Sequence, residues 1–126
     1  MQTPKGEIMS DSEQMQYVIL THDKSLIVNI SGRITYQASK KFIDISSKIE
    51  DFHRTIEVRL VDVIFIDSVG VGMLIVLAEH ARTKGCAARL TGVTGQVERV
   101  FKSTELLGLI DWDRDLICFE NDNLSD

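Results

Sequence analysis

Ile64-Phe65-Ile66-Asp67-Ser68-Val69-Gly70-Val71-Gly72-Met73-Leu74 is the stretch in which the chain passes from strand chemistry to helix chemistry within two residues. Upstream, Ile56, Val58, Leu60 and Val61 run into Val63-Ile64-Phe65-Ile66, long, β-branched and nearly all apolar. That is the composition of a central strand covered on both sides or leading into a buried turn. Downstream, the pattern predicts a helix from about Val69 to Thr83, stopped at Lys84-Gly85, where glycine suits a left-handed C-terminal cap. Asp67 and Ser68 lie at the junction, and either side chain is able to accept the orphan amide hydrogens of a first helical turn. Gly70 and Gly72 are poor helix formers, each costing about 1 kcal/mol relative to alanine. One explanation for the pair is close approach of the backbone to a neighbouring strand. The other is an uncluttered surface at which a partner docks. A plainly capped helix, with glycines chosen for packing, is the structural reading of the same string.

Working outward, Tyr17 to Leu20 and Leu26 to Ile30 are β-branched or aromatic runs separated by Thr21-His22-Asp23-Lys24-Ser25, the spacing of an antiparallel hairpin. Ser31-Gly32 is expected to break the second strand. Ala38, Phe42, Ile45, Ile49 and Phe52 recur at intervals of three and four, which predicts a helix with Lys40, Lys41, Asp44, Ser47, Lys48 and Asp51 facing water. Beyond Gly85, Cys86 to Leu90 reads as a strand and Thr94 to about Ser103 as a helix carrying Val97, Val100 and Phe101 on one face. Leu106, Leu107, Leu109 and Ile110 form a loop expected to pack down, and Leu116 to Phe119 a short last strand. The order β-β-α-β-α-β-α-β requires parallel neighbours joined by helical crossovers. The predicted fold is therefore α/β, one domain over residues 15–120, with a mixed β-sheet and helices mainly on one face. Residues 1–14 are expected to be a mobile tail carrying the sole proline, Pro4, and residues 121–126 a frayed acidic one.

A chain of 126 residues with 44% hydrophobic composition builds one core rather than two. Its formal net charge of −5 argues against direct nucleic-acid binding, which draws on a basic face. The longest apolar stretches fall well short of the roughly 20 residues needed to span a bilayer, and the start shows no signal pattern. A cytoplasmic protein with no membrane insertion is expected, its Cys86 and Cys118 buried and reduced.

The string Phe65-Ile66-Asp67-Ser68-Val69-Gly70-Val71-Gly72-Met73-Leu74 resembles the phosphorylation-site motif of STAS domains, in particular the bacterial anti-sigma-factor antagonists. The resemblance runs from about Tyr17 to Phe119 and includes Ser31-Gly32, Gly85, Val97-Glu98-Arg99-Val100-Phe101 and Leu106-Leu107-Gly108-Leu109. It implies a STAS-type sheet and a non-enzymatic signalling protein without a cofactor. Ser68 would be the phosphoacceptor, and Asp67, Ser68, Val69, Gly70, Val71, Gly72 and Thr35 the partner-binding surface. The implied partners are an anti-sigma factor that is also a serine-protein kinase of histidine-kinase-like ATPase fold, and a PP2C-type phosphatase. Two positions depart from the pattern. Many members carry Glu-Leu-Asp after the glycine, where this chain has Arg33-Ile34-Thr35, and Val69 stands where a second hydroxyl is common.

Other residue patterns are weaker. His22, His53 and His80 are far apart in sequence and read as solvated rather than metal-binding. Asp62 and Asp67 flank one strand end as capping or turn residues, with no His, Lys or nucleophile beside them to suggest acid–base work. Trp112 reads as packing of the last loop, and Arg82, Lys84 and Arg89 as a solvated basic face. No GxxxxGK[ST] cradle is present. The alternative function is a STAS accessory subunit that regulates the ATPase of a membrane lipid transporter. A small enzyme using Asp67 or Ser68 would need an activating base that the sequence does not display.

Overall fold

The computed structural model describes residues 14–106 and 117–120. The tail through residue 13, the loop residues Leu107, Leu109 and Ile110, Trp112 and the last six residues lie outside them. Two strands, β1 (Gln16–His22) and β2 (Ser25–Ile34), form the expected hairpin, with Asp23 at φ 58° in its turn. The strands β3 (Thr55–Ile66), β4 (Ala87–Thr91) and β5 (Ile117–Glu120) add in parallel, so that the five-stranded sheet runs β1-β2-β3-β4-β5. Each parallel step needs a long crossover. Helices α1 (Ser39–Ser47), α2 (Ser68–Thr83) and α3 (Gly95–Leu106) supply them in turn.

Strand alternation sets the layering. Leu26, Val28, Ile30 and Ile34 of β2, Ile56, Val58 and Leu60 of β3, and Ala88 and Leu90 of β4 point to one face and are buried. Phe42 and Ile45 of α1, Val71, Leu74, Leu77, Ala78 and Ala81 of α2, and Val97 and Phe101 of α3 close over them. The opposite face carries a polar cluster at its centre, where the Glu57 carboxylate accepts from Arg59 Nε at 3.0 Å and from Thr91 Oγ1 at 3.3 Å, and the exposed apolar side chains Val18 and Leu20 on β1. Among the described residues, helices therefore cover one side of the sheet.

Several expectations change. Ser31-Gly32 does not end β2; the strand continues to Ile34, with Gly32 at φ 88° where the ladder shifts register. Both shifts lengthen β3: Asn29 to Ser31 faces Arg59 to Asp62, and Gly32 to Arg33 faces Val63 to Phe65. Each insertion is a bulge that throws one residue out of the alternation. The residues concerned include Val61 and Ile64, which are 63% and 60% exposed, so of the two expectations for this run, cover on both sides or a lead into a buried turn, full cover does not hold. β4 also ceases to pair with β3 beyond Arg59. Phe52 lies outside α1 and is exposed. The Ser47 hydroxyl donates to the Asp44 carbonyl at 2.6 Å, competing with the helical ladder at the point where α1 stops.

His53 is likewise not solvated but buried. Its Nδ1 accepts from the Glu50 N–H at 2.9 Å, and Nε2 lies 3.3 Å from Thr21 Oγ1, so the ring ties the α1–β3 connection to the hairpin. Cys86 is buried, and burial pushes its thiol pKa up. Lys84 and Arg89 do not share one basic face: Lys84, at the end of α2, lies 3.9 Å from Asp51, while Arg89 is on the far side of the sheet beside Glu57. Among the described residues no group of His, Cys, Asp or Glu is arranged to hold a metal ion, and no helix is long and apolar enough to cross a membrane.

Candidate functional site

β2 and β3 are parallel and end side by side, with Ile34 in register with Ile66. The next residue of each strand caps a helical segment. Thr35 caps the 3-10 turn at Tyr36–Ala38, its Oγ1 accepting from the Gln37 N–H at 3.3 Å. Asp67 caps α2, its Oδ1 accepting from the Gly70 N–H at 2.8 Å. The Asp67 N–H itself donates to the Ile34 carbonyl at 3.4 Å, which joins the two turns. The site thus lies at the carboxyl ends of adjacent parallel strands, where loops and helix starts converge.

Which of the two adjacent residues caps the helix decides the chemistry. Asp67 has extended backbone at φ −113°, ψ −177° and the cap is its carboxylate, so Ser68 is the first residue inside the helix. The Ser68 side chain is exposed and makes no hydrogen bond to any described residue. Val69 beside it is 51% exposed. An accessible hydroxyl therefore stands at the positive end of a helix dipole, with the carboxylate of Asp67 already engaged by the backbone.

The two glycines divide between the two explanations. A Cβ on Gly70 would meet the Ile34 carbonyl oxygen at 2.6 Å and Ile66 Cγ1 at 2.7 Å, so this glycine permits α2 to start against the ends of β2 and β3. A Cβ on Gly72 would meet nothing within 4 Å. Gly72 belongs to the open surface, in line with exposed Val69 and with Val76, which is 63% exposed. The side chains of Tyr36, of the 3-10 turn, and Ile43, of α1, are also exposed, on segments packed beside α2.

The structure therefore brings Thr35, Asp67, Ser68, Val69 and Gly72 to the surface of one turn region. Gly70 and Val71 are buried beneath it and shape it from below. A cavity of about 190 Å³ borders Thr35 and is lined by Arg33 and Lys41, among others, with no carboxylate among the described residues of its wall. Arg33 lies over the Phe65 ring, 4.3 Å from its centroid. Arg33-Ile34-Thr35 thus makes this side of the turn cationic rather than acidic.

Sequence reasoning missed three contributors. Ile43 and Val76 show in the sequence only as apolar residues off the buried faces of their helices. Gln96 of α3 carries no local signal at all. Its Oε1 accepts from the Ile66 N–H and its Nε2 donates to the Ile66 carbonyl, both at 2.9 Å.

The model of the STAS domain family matches residues 16–119. No curated protein matches at the level of sequence. Among solved structures, the fold is similar to an anti-sigma factor antagonist from Mycobacterium paratuberculosis, with 22% identity, a TM-score of 0.63 and 94% of each chain covered. It is similar also to a sulfate transporter family protein from Wolinella succinogenes, with 18% identity, a TM-score of 0.60, and 83% of this chain and 82% of that one covered. A third likeness is to the anti-sigma factor antagonist SpoIIAA in its unphosphorylated form, with 17% identity, a TM-score of 0.57, and 69% of this chain and 82% of that one covered. At these identities the likeness is one of fold.

Proposed function

The chain belongs to the STAS domain family, and on that premise we propose that it is an anti-sigma-factor antagonist, a bacterial partner-switching regulator of transcription controlled by phosphorylation of Ser68. Unphosphorylated, it binds an anti-sigma factor that is also its serine kinase; phosphorylated, it is released, and a PP2C-type phosphatase resets it. It is the substrate in this cycle and not a catalyst. The observation that carries the proposal is the division of labour at the junction, in which Asp67 caps α2 and leaves the Ser68 hydroxyl exposed and without a hydrogen bond to any described residue. A serine that served as the cap would be occupied.

Contacts to the partner come from Asp67, Ser68, Val69, Gly72 and Thr35, while Gly70 and Val71 hold the turn beneath them. A phosphate on Ser68 adds about 1.5 to 2 negative charges next to the Asp67 carboxylate. The unpaired amides of the first turn and the helix dipole tolerate that charge, so the domain stays folded. A partner fitted to a neutral hydroxyl and open glycine backbone meets bulk and like charge instead. Leaving a charge unpaired in an interface costs about 3 kcal/mol or more, which is roughly a hundredfold in affinity.

Peptide-level mass spectrometry of the protein purified from its native cells, wild type beside Ser68→Ala, tests the proposal. Phosphate on the Ser68 peptide, lost in the variant, is the expected result. A wild-type protein that stays unmodified through growth and stress, and that co-purifies with a transporter ATPase, would favour the accessory-subunit function instead. A Ser68→Asp variant that binds the partner as tightly as wild type would remove the charge argument.

A further inference from the structure

Ile66 is the last residue of β3, and its outer edge has no strand beside it. β4 pairs with β3 only from Thr55↔Ala87 to Arg59↔Thr91 and then ends. A buried N–H and C=O left without partners would weaken the strand end just where it delivers Asp67 and Ser68. The Gln96 carboxamide fills the gap, accepting from the Ile66 N–H and donating to the Ile66 carbonyl at 2.9 Å each, as a neighbouring strand would. On the other side, the Asp67 N–H donates to the Ile34 carbonyl at 3.4 Å. The peptide group joining Ile66 to Asp67 is therefore held at both ends, its carbonyl by α3 and its N–H by β2. That fixes its plane, the extended backbone of Asp67 and the direction in which Ser68 leaves the strand.

We infer that Gln96 is the positioning residue of the Ser68 site: its side-chain amide stands in for a missing strand and holds the hydroxyl in the pose in which it accepts phosphate. The inference rests on the phosphoacceptor function of Ser68 proposed above. It assigns a regulatory role to the first turn of α3, so that any partner or ligand displacing α3 acts on Ser68 without touching it.

The test uses the full chain with Gln96→Leu and Gln96→Glu. Leucine removes both hydrogen bonds and leaves an apolar side chain in place. Amide hydrogen exchange by NMR is expected to show protection at Ile66 reduced at least tenfold in Gln96→Leu, with Val28 and Val58 in the sheet centre unchanged. Phosphate occupancy of Ser68 in native cells is expected to fall at least fivefold at equal protein level. A protonated glutamic acid carries one donor and one acceptor, like the amide, whereas its carboxylate only accepts and opposes the Ile66 carbonyl. Protection at Ile66 in Gln96→Glu, corrected for intrinsic exchange, should therefore match wild type at and below the ordinary carboxyl pKa of about 4.3 and fall as pH rises through the carboxyl's higher folded value. Wild type should show no such dependence.

Undiminished protection at Ile66 in Gln96→Leu, a loss spread evenly over the sheet, or a Gln96→Glu profile flat in pH would overturn the positioning role. Loosened Ile66 with unchanged Ser68 occupancy would sever Gln96 from phosphorylation. Absence of phosphate from wild-type Ser68 would instead count against the proposed function, and the exchange measurements would still decide whether Gln96 positions the turn.

Discussion

Alanine substitutions two residues apart on α2 should change stability in opposite directions. At Gly70 the new methyl carbon would lie 2.6 Å from the Ile34 carbonyl oxygen, 2.7 Å from Ile66 Cγ1 and 2.9 Å from Ile34 Cγ2. Comfortable contacts between carbon atoms are about 3.5–4.0 Å, so the two carbon contacts are too close by roughly an ångström, and the oxygen is nearer still. Relief is difficult, because Ile34 and Ile66 are both fully buried and the oxygen belongs to the backbone of β2. Overpacking costs about 1–3 kcal/mol, and a backbone obstacle places this case near about 3. The alanine returns about 1 kcal/mol of helix propensity, leaving Gly70→Ala less stable by about 2 kcal/mol. At Gly72 nothing lies within 4 Å of the added carbon, so only the propensity gain of about 1 kcal/mol remains. With a urea dependence of about 2 kcal/mol per molar, the midpoint should fall by about 1 M in Gly70→Ala and rise by about 0.5 M in Gly72→Ala. Urea unfolding followed by circular dichroism reads both. A Gly70→Ala midpoint at or above wild type would refute the close-approach argument. A Gly72→Ala loss equal to that of Gly70→Ala would refute the division between a packing glycine and a surface glycine. If the proposed function holds, Gly72→Ala should nonetheless weaken binding of the proposed anti-sigma-factor partner, since its methyl group projects from the proposed docking surface.

Asp67→Ala should cost about 1 kcal/mol through loss of the cap, whereas Ser68→Ala should stay within about 0.5 kcal/mol of wild type; the same urea series checks the ranking, and the reverse order would make Ser68 the cap. The hydrogen bond from Arg59 holds the Glu57 carboxyl below its ordinary pKa. A depressed carboxyl pKa gives stability that is present above the unfolded value of about 4.3 and lost as pH falls through the lower folded one, so Glu57→Gln should flatten the acid limb of a stability–pH curve. Tyr17 is shifted the other way: its hydroxyl donates to the Asp44 carboxylate, which pushes its pKa above the ordinary value. That contribution is complete below about pH 10 and is lost as pH rises through the folded value. Tyrosinate absorbance during an alkaline titration should show one late-titrating tyrosine, absent in Tyr17→Phe.

Much of this protein follows from sequence-local physics. The hairpin, the alternation of strands and helices, the buried stripe Val97 and Phe101 of α3, and the capped start of α2 all follow from periodicities and turn chemistry that act within a few residues. The single-sided helical layer follows from the same element order. Tertiary structure decided what depends on neighbours distant in the chain. Asp67 and Ser68 are equivalent as caps by composition, and the choice came from the register that pins the Asp67 N–H to Ile34. Gly70 and Gly72 are the same residue two positions apart, and only the ends of β2 and β3 tell them apart. The burial of His53 is not legible in the sequence because the groups around it include Thr21 of the hairpin, and the exposure of Val61 and Ile64 is not, because a bulge is a mismatch between two strands rather than a property of one. Gln96 meets Ile66 across thirty residues of sequence. A side-chain amide has no periodic signature, and its two hydrogen bonds form only once β4 has stopped short and left the end of β3 without a neighbour.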